Sequence, residues 1–264
     1  MEKQVAIAVK DLCIGYQEKK QFKDLTKAFS FQVKEGELVA IVGANGIGKS
    51  TLLKTLSNEN PYRGSVKIFS KEIDTITSPN LAKYLSSVGT NYQIQSYTRV
   101  EDVIAKGRSV HTNWIGRYGK KDLEIIKESA KKVGVENLLQ RFYNTLSDGE
   151  KQRTLIAMSL AQQSNIILLD EPTAFIDYPN KYFITALLKE ITIKENKTVL
   201  FSSHDLEVVL TYADKILLFS ETEVEFLNKK DFLEEEQILK LFNHHQLTKE
   251  FQNTLVKQLL EFYR

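Results

Sequence analysis

The segment Gly43-Ala44-Asn45-Gly46-Ile47-Gly48-Lys49-Ser50-Thr51 constrains this chain more than any other stretch. It fits the pattern G-x-x-x-x-G-K-[ST], and its setting suits that pattern. The apolar, β-branched run Leu38–Val42 precedes it, and a helical stripe of Leu52, Leu53 and Leu56 follows. In such a strand–loop–helix unit, glycines let the backbone wrap closely around a phosphate, with successive N–H groups pointing inward. The helix N-terminus adds a favourable dipole. Lys49 is then placed to bridge β- and γ-phosphates, and the Ser50 hydroxyl to ligate Mg²⁺. Taken alone, the loop predicts binding of a nucleoside triphosphate and nothing finer.

Further short apolar runs at Ile166–Leu169, Thr198–Ser202 and Lys215–Phe219 read as strands covered on both faces. Helical patterns lie between them. Leu123, Ile126, Ala130 and Val133 form one stripe, with Gly134 as its stop, and Phe183, Leu187 and Ile191 form another. Strands alternating with helices predict an α/β core around a largely parallel sheet. Residues 5–9, 12–16, 29–33 and 66–69 read as strands joined by short polar turns, some of them in a flanking antiparallel sheet. The stretch 91–164 is mostly helical and reads as a lobe inserted between core strands. The expected organisation is one domain over 1–230 and a C-terminal helical extension over 231–264. In that extension Leu247, Phe251, Leu255 and Leu259 recur every four residues, an amphipathic helix open to core packing, a dimer contact or a regulatory surface.

Two further stretches carry chemistry. The run Ile166-Ile167-Leu168-Leu169 ends in Asp170-Glu171, and a strand buried on both faces should not end in paired acids without a use for them. Asp170 suits Mg²⁺ through its water shell, and Glu171 suits the role of general base toward water. Leu146-Ser147-Asp148-Gly149-Glu150-Lys151-Gln152-Arg153 contains the capping box Ser147-x-x-Glu150, which starts a helix. A capped helix N-terminus with Gly149 in its first turn is itself an anion site.

As a set, these motifs resemble the ABC (ATP-binding-cassette) ATPases, over about residues 5–228. The stretch from Leu146 is similar to the family's LSGGQ signature in a variant form, with Asp148 for glycine and Glu150 for glutamine. The resemblance implies the ABC ATPase fold: a nucleotide-binding α/β core, an antiparallel β-subdomain and a helical subdomain. It implies that Tyr16 stacks on adenine and that Gln93 reaches Mg²⁺ and the water, with Gln95 open as the alternative. It further implies that Asp177, in Ala174-Phe175-Ile176-Asp177, precedes a dimer contact, and that His204 contacts the γ-phosphate. The implied ATP site therefore comprises Tyr16, Gly43, Asn45, Gly46, Gly48, Lys49, Ser50, Thr51 and Asp177 with Ser147 and Gly149. In the family the signature of one copy faces the phosphate loop of a second, in a head-to-tail dimer. Glu171, His204, Gln93 and Lys49 are the implied catalytic group, and Ser50, Gln93 and Asp170 the implied metal group.

Composition bears on partners. Lysine and arginine number 36 against 34 acidic residues, a net charge of +2, which gives no electrostatic case for nucleic acid. Cys13 is the only cysteine, so no intrachain disulfide is expected. The first nine residues lack the apolar stretch of a signal peptide. The apolar runs span four or five residues, whereas a membrane helix needs about 20, so any membrane spans are expected from other chains. Residues 103–108 and 111–114, with the stretch 169–177, are similar to the ATPases of iron–siderophore, haem and cobalamin importers. That resemblance implies a peripheral subunit on the cytoplasmic face of a bacterial membrane, bound to integral membrane permease subunits through about 100–114, and served indirectly by a substrate-binding protein. The alternative is a soluble ABC ATPase of an assembly machine, such as iron–sulfur cluster assembly.

Overall fold

The computed structural model describes residues 3–18, 21–90, 92–112, 117–221, 223–242 and Lys257. In chain order, β1 (Val5–Glu18), β2 (Gln21–Asp24) and β3 (Phe29–Lys34) lead into β4 (Leu38–Val42) and α1 (Lys49–Leu56). Then come β5 (Tyr62–Ile68), β6 (Lys71–Glu72), α2 (Ser78–Tyr84) and β7 (Leu85–Val88). The inserted lobe holds α3 (Val100–Ala105), α4 (Lys120–Lys132) and α5 (Asp148–Ala161). The core resumes with β8 (Ile166–Leu169), α6 (Tyr178–Lys194), β9 (Thr198–Ser202), α7 (Leu206–Tyr212) and β10 (Lys215–Phe219). It ends in β11 (Val224–Asn228), α8 (Lys229–Phe232) and α9 (Glu235–Phe242).

The strands form two sheets. The core sheet runs β11-β10-β4-β9-β8-β7, parallel except for the antiparallel edge strand β11. Its central strands are buried along their whole length, and successive residues feed opposite faces. In β4, Leu38, Ala40 and Val42 join a core shared with the helical lobe and α6. Val39 and Ile41 join a second core, which contains Leu52, Leu53 and Leu56 of α1 and the inner face of the smaller sheet. That smaller sheet is antiparallel, with β1 pairing β2, β3 and β5, and β6 at its edge. The architecture is thus the expected α/β core with a flanking antiparallel sheet and an inserted helical lobe.

Three local expectations differ. Residues 5–9 and 12–16 are one strand, not two. Its pairings to β3 and β5 shift register across the intervening residues, where Asp11 takes φ +49°. A bulge lets the strand bend without ending. On α4 the inward face is Ile125, Ile126, Ser129 and Ala130, and Leu123 is 51 % exposed. On α6 it is Ile184, Leu187, Leu188 and Ile191, and Phe183 is 47 % exposed, with the Arg153 guanidinium 5.5 Å from its ring centre. Gly134 does follow α4, at φ +70°. Phe232 and Ile238, from α8 and α9, are buried in the same core as the parallel sheet. The repeat from Leu247 to Leu259 lies outside the described residues. Among the described residues no helix is long and apolar enough to cross a membrane.

Candidate active site

Parallel pairing brings the carboxyl ends of five strands to one edge. Val42 pairs with Leu218, Ile41 with Ser202, Leu169 with Phe201, and Val88 with Leu169. The loops that leave this edge carry the phosphate loop after β4, Asp170-Glu171 after β8, His204 after β9 and the Gln93 region after β7. Ligands of open α/β sheets bind at this edge because the loops there converge from different parts of the chain.

The phosphate loop turns from β4 into α1. Gly43 is buried, Asn45 and Gly46 form the exposed tip, and Gly48 is the residue before the helix. Thr51 lies half-buried in the first turn of α1. The Lys49 ammonium is buried and donates to the carbonyls of Gly43 at 2.8 Å and Ala44 at 2.9 Å. Burial pushes it below the usual lysine range, a shift that the carboxylates of Glu171 and Asp170 oppose. A desolvated ammonium beside a loop of backbone N–H groups favours an incoming polyanion.

Opposite the loop the two carboxylates sit in one hydrogen-bonded group. Ser50 Oγ donates to Asp170 Oδ1 at 3.0 Å, and Ser202 Oγ donates to the same oxygen at 2.7 Å. The Glu171 N–H donates to Ser202 Oγ at 2.7 Å, and the Glu171 carboxylate lies 2.7 Å from His204 Nε2. Glu171 itself takes φ +49°, an uncommon state for a residue with a side chain. The group offers one hydroxyl and one carboxylate toward the phosphate loop. Hard oxygen donors of that kind, with phosphate oxygens and water completing the shell, fit Mg²⁺. Beside His204, a cavity of about 160 Å³ is bounded by Gly43, Ala44 and, from α9, Leu241.

Other predicted residues lie around this centre. Ile14 of β1 approaches Gly48, and Tyr16, two residues on and so on the same strand face, is 38 % exposed with Lys23 over its ring. Gln93 and Gln95 are both exposed, and the Gln95 carbonyl is taken up by Thr98 in a turn. Ser147 caps α5: it accepts from the Glu150 N–H, while the Glu150 carboxylate takes the Ser147 N–H at 2.8 Å and its hydroxyl at 2.9 Å. Gly149 abuts Asn180, which donates to Asp177 at 2.6 Å, so the start of α5 meets the start of α6. Among the described residues no hydrogen bond or ion pair joins Ser147 or Gly149 to the phosphate loop of the same chain. Phe175, just before Asp177, is 96 % exposed at φ +59°. Sequence reasoning singled out the His204 stretch but missed Ser202. The available signal was a serine closing a buried strand just after the apolar run Val199-Leu200-Phe201.

Comparison with known proteins points the same way. A family model described as ABC transporter matches residues 26–174. The manganese transport system ATP-binding protein MntB of Halalkalibacterium halodurans is 33 % identical, over 89 % of this chain and 91 % of its own. The petrobactin import ATP-binding protein FpuC of Bacillus anthracis is 31 % identical, over 83 % of this chain and 80 % of its own. A solved structure described as an inward-facing conformation of a metal-chelate type ABC transporter superposes with a TM-score of 0.80. It is 27 % identical and covers 90 % of this chain and 89 % of that one.

Proposed function

This chain belongs to the ABC transporter family as an ATP-binding, ATP-hydrolysing subunit, and we propose that it powers a membrane importer for a metal chelate: an iron–siderophore, haem or cobalamin. The observation that carries the chemistry is the single group made by Ser50, Asp170, Ser202, Glu171 and His204 facing the buried Lys49. In this reading the backbone N–H groups of residues 43–49 cradle the phosphates. Lys49 exchanges its two loop carbonyls for β- and γ-phosphate oxygens, and Tyr16 stacks on adenine. Ser50, Asp170 and Gln93 would hold Mg²⁺, which neutralises phosphate charge when bound. Glu171 takes the proton of the attacking water, and His204 donates to the charged γ-phosphoryl group.

A second copy completes each site. Ser147 and Gly149 form a capped helix start, suited to an anion, that among the described residues makes no bond to its own phosphate loop, and the turn that exposes Phe175 and Asp177 suits a contact with that copy. Closure on ATP would drive one step of the permease and hydrolysis would reset it, with residues 100–114 docked on the permease at the cytoplasmic face. A substrate-binding protein would choose the solute. The named relatives favour an importer over an assembly-machine ATPase.

Three experiments test the reading. Glu171→Gln should bind ATP yet release phosphate about 10²- to 10⁴-fold more slowly. Equal rates would remove Glu171 from the base role. Affinity capture from a detergent extract should recover an integral membrane permease, and capture of soluble partners alone would overturn the importer. Uptake assays in a strain lacking the gene should show loss of chelate uptake. Loss of free Mn²⁺ uptake alone would reassign the solute toward that of the manganese relative.

A further inference from the structure

Ser202 closes β9 and is 0 % exposed. At the carboxyl ends of the five parallel strands stand Val42, Val88, Leu169, Ser202 and Phe219, so it is the one polar residue among them. A buried hydroxyl needs partners, and this one finds both in the candidate site. A serine hydroxyl has one proton to give and lone pairs to accept with. The proton goes to Asp170 Oδ1, and a lone pair takes the Glu171 N–H, each at 2.7 Å. Neighbouring backbone fixes its place: the following N–H, of Ser203, donates to the Ile41 carbonyl at 3.0 Å, one residue before β4 ends.

From these contacts we infer that Ser202 is a positioning residue for hydrolysis, one hydroxyl that sets both carboxylates at once. Toward Asp170, two hydroxyls converge on Oδ1, from Ser50 and Ser202, which turns Oδ2 away from them and leaves it for the metal shell. Toward Glu171, the bond to the backbone N–H holds a residue whose left-handed φ of +49° costs energy unless its surroundings enforce it. That backbone state is the one in which the Glu171 carboxylate reaches His204. Without the hydroxyl, the Glu171 N–H is left without this partner, and the turn is free to relax toward an ordinary φ, carrying the carboxylate with it. Asp170 keeps only the Ser50 bond on Oδ1. Ser202 is fully buried, so its hydroxyl acts through the two carboxylate residues rather than on the reacting atoms. The inference rests on the proposed roles of Asp170 and Glu171.

The test compares Ser202→Ala, Ser202→Thr and Ser86→Ala in the full chain, by phosphate release, Mg²⁺ titration, ATP binding in EDTA and thermal melting. Ser86 is an equally buried serine in the same sheet, bonded to Ser164 and the Ile166 carbonyl but not to the carboxylates. Ser202→Ala should lower kcat about 10-fold or more, because misplacement of a reacting group costs this much. It should raise the half-saturating Mg²⁺ concentration by about 10-fold, the scale expected when a partner of a metal-binding carboxylate is lost. ATP binding in EDTA should hold, since the phosphate loop is untouched. Ser202→Thr keeps the hydroxyl and should recover both the Mg²⁺ response and most of kcat. Ser86→Ala should lower the melting temperature with neither kinetic change. The inference is overturned if Ser202→Ala keeps the native kcat and Mg²⁺ response, if folded Ser202→Thr is no better than alanine, or if Ser86→Ala reproduces the kinetic losses. Failure of the underlying site is separable, because Glu171→Gln would then hydrolyse at the native rate.

Discussion

Gly43 and Gly46 both lie at positive φ, +152° and +76°, but they face different surroundings. A Cβ on Gly43 would lie 2.7 Å from the carbonyl oxygen of Phe219 and 2.8 Å from its Cβ, atoms fixed in β10 of the core sheet. A Cβ on Gly46 would meet nothing within 4 Å. Gly43→Ala therefore adds a clash with backbone to an unfavourable φ, and should destabilise by roughly 2–4 kcal/mol. Gly46→Ala carries only the backbone cost of about 1–2 kcal/mol. Thermal denaturation without nucleotide should show the larger loss for Gly43→Ala, and the reverse order would mean that the clash is relieved by movement of β10. In nucleotide binding, Gly43→Ala should fail through displacement of the whole loop, including the carbonyls that hold Lys49.

The helical lobe is fastened to the core at one end of α5. Arg108, 4 % exposed, donates to Asp122 at 2.9 Å, to the Ala161 carbonyl at 2.7 Å and to Gln163 at 2.9 Å. Gln162 reaches the carbonyls of Ala82 and Leu85 in the core, and its own carbonyl lies 2.8 Å from the His111 ring. The backbone N–H of Gly119, then Arg108, holds the Asp122 carboxyl below the usual carboxylate range. A depressed carboxylate contributes stability that is fully present above its unfolded pKa and is lost as pH falls through the folded one. Asp122→Asn should thus cost roughly 1.5–3 kcal/mol at pH 7, where it leaves a buried guanidinium short of its charged partner. The gap to the native protein should narrow once pH drops below about 4, near the unfolded aspartate value. Melting curves at pH 7 and 3.5 check this, and a gap of constant size would contradict it. Elements of this kind differ in how far the sequence discloses them. Strands β4, β8, β9 and β10 are legible to the residue because burial on both faces leaves short runs that are apolar except at their ends, at Thr198, Ser202 and Lys215. The inward faces of α4 and α6 were legible only in part, because Leu123 and Phe183 are apolar yet lie at the flank of each stripe. Lys49, Asp170 and Glu171 announce themselves by motif. Ser202 does not, because its role depends on the pairing of Leu169 with Phe201, a register that no local pattern records.

At the scale of the molecule, the proposed unit of hydrolysis is two chains, and this makes a prediction that no single-chain site shares. Lys49→Ala removes the ammonium of the phosphate loop, and Ser147→Arg blocks the capped start of α5 with a bulky side chain. Each variant alone should be inactive, since every site in its homodimer lacks one half. In a head-to-tail mixed dimer the two defects fall together in one site. The other site joins the intact phosphate loop of the Ser147→Arg copy to the intact Ser147 and Gly149 of the Lys49→Ala copy. Random pairing of equal amounts makes half of the dimers mixed, and each holds one intact site of two, so the mixture should regain about one quarter of native phosphate release if sites act independently. Strong coupling between sites lowers that figure toward zero, and Glu171→Gln separates the two cases. A dimer of native and Glu171→Gln chains keeps one working site, and its rate relative to native measures the coupling directly. If that dimer runs at half the native rate while the Lys49→Ala and Ser147→Arg mixture stays inactive, both halves of the site come from one chain and the shared-site reading is wrong. Recovery on mixing, dependent on total protein concentration as a dissociable dimer requires, is the expected result.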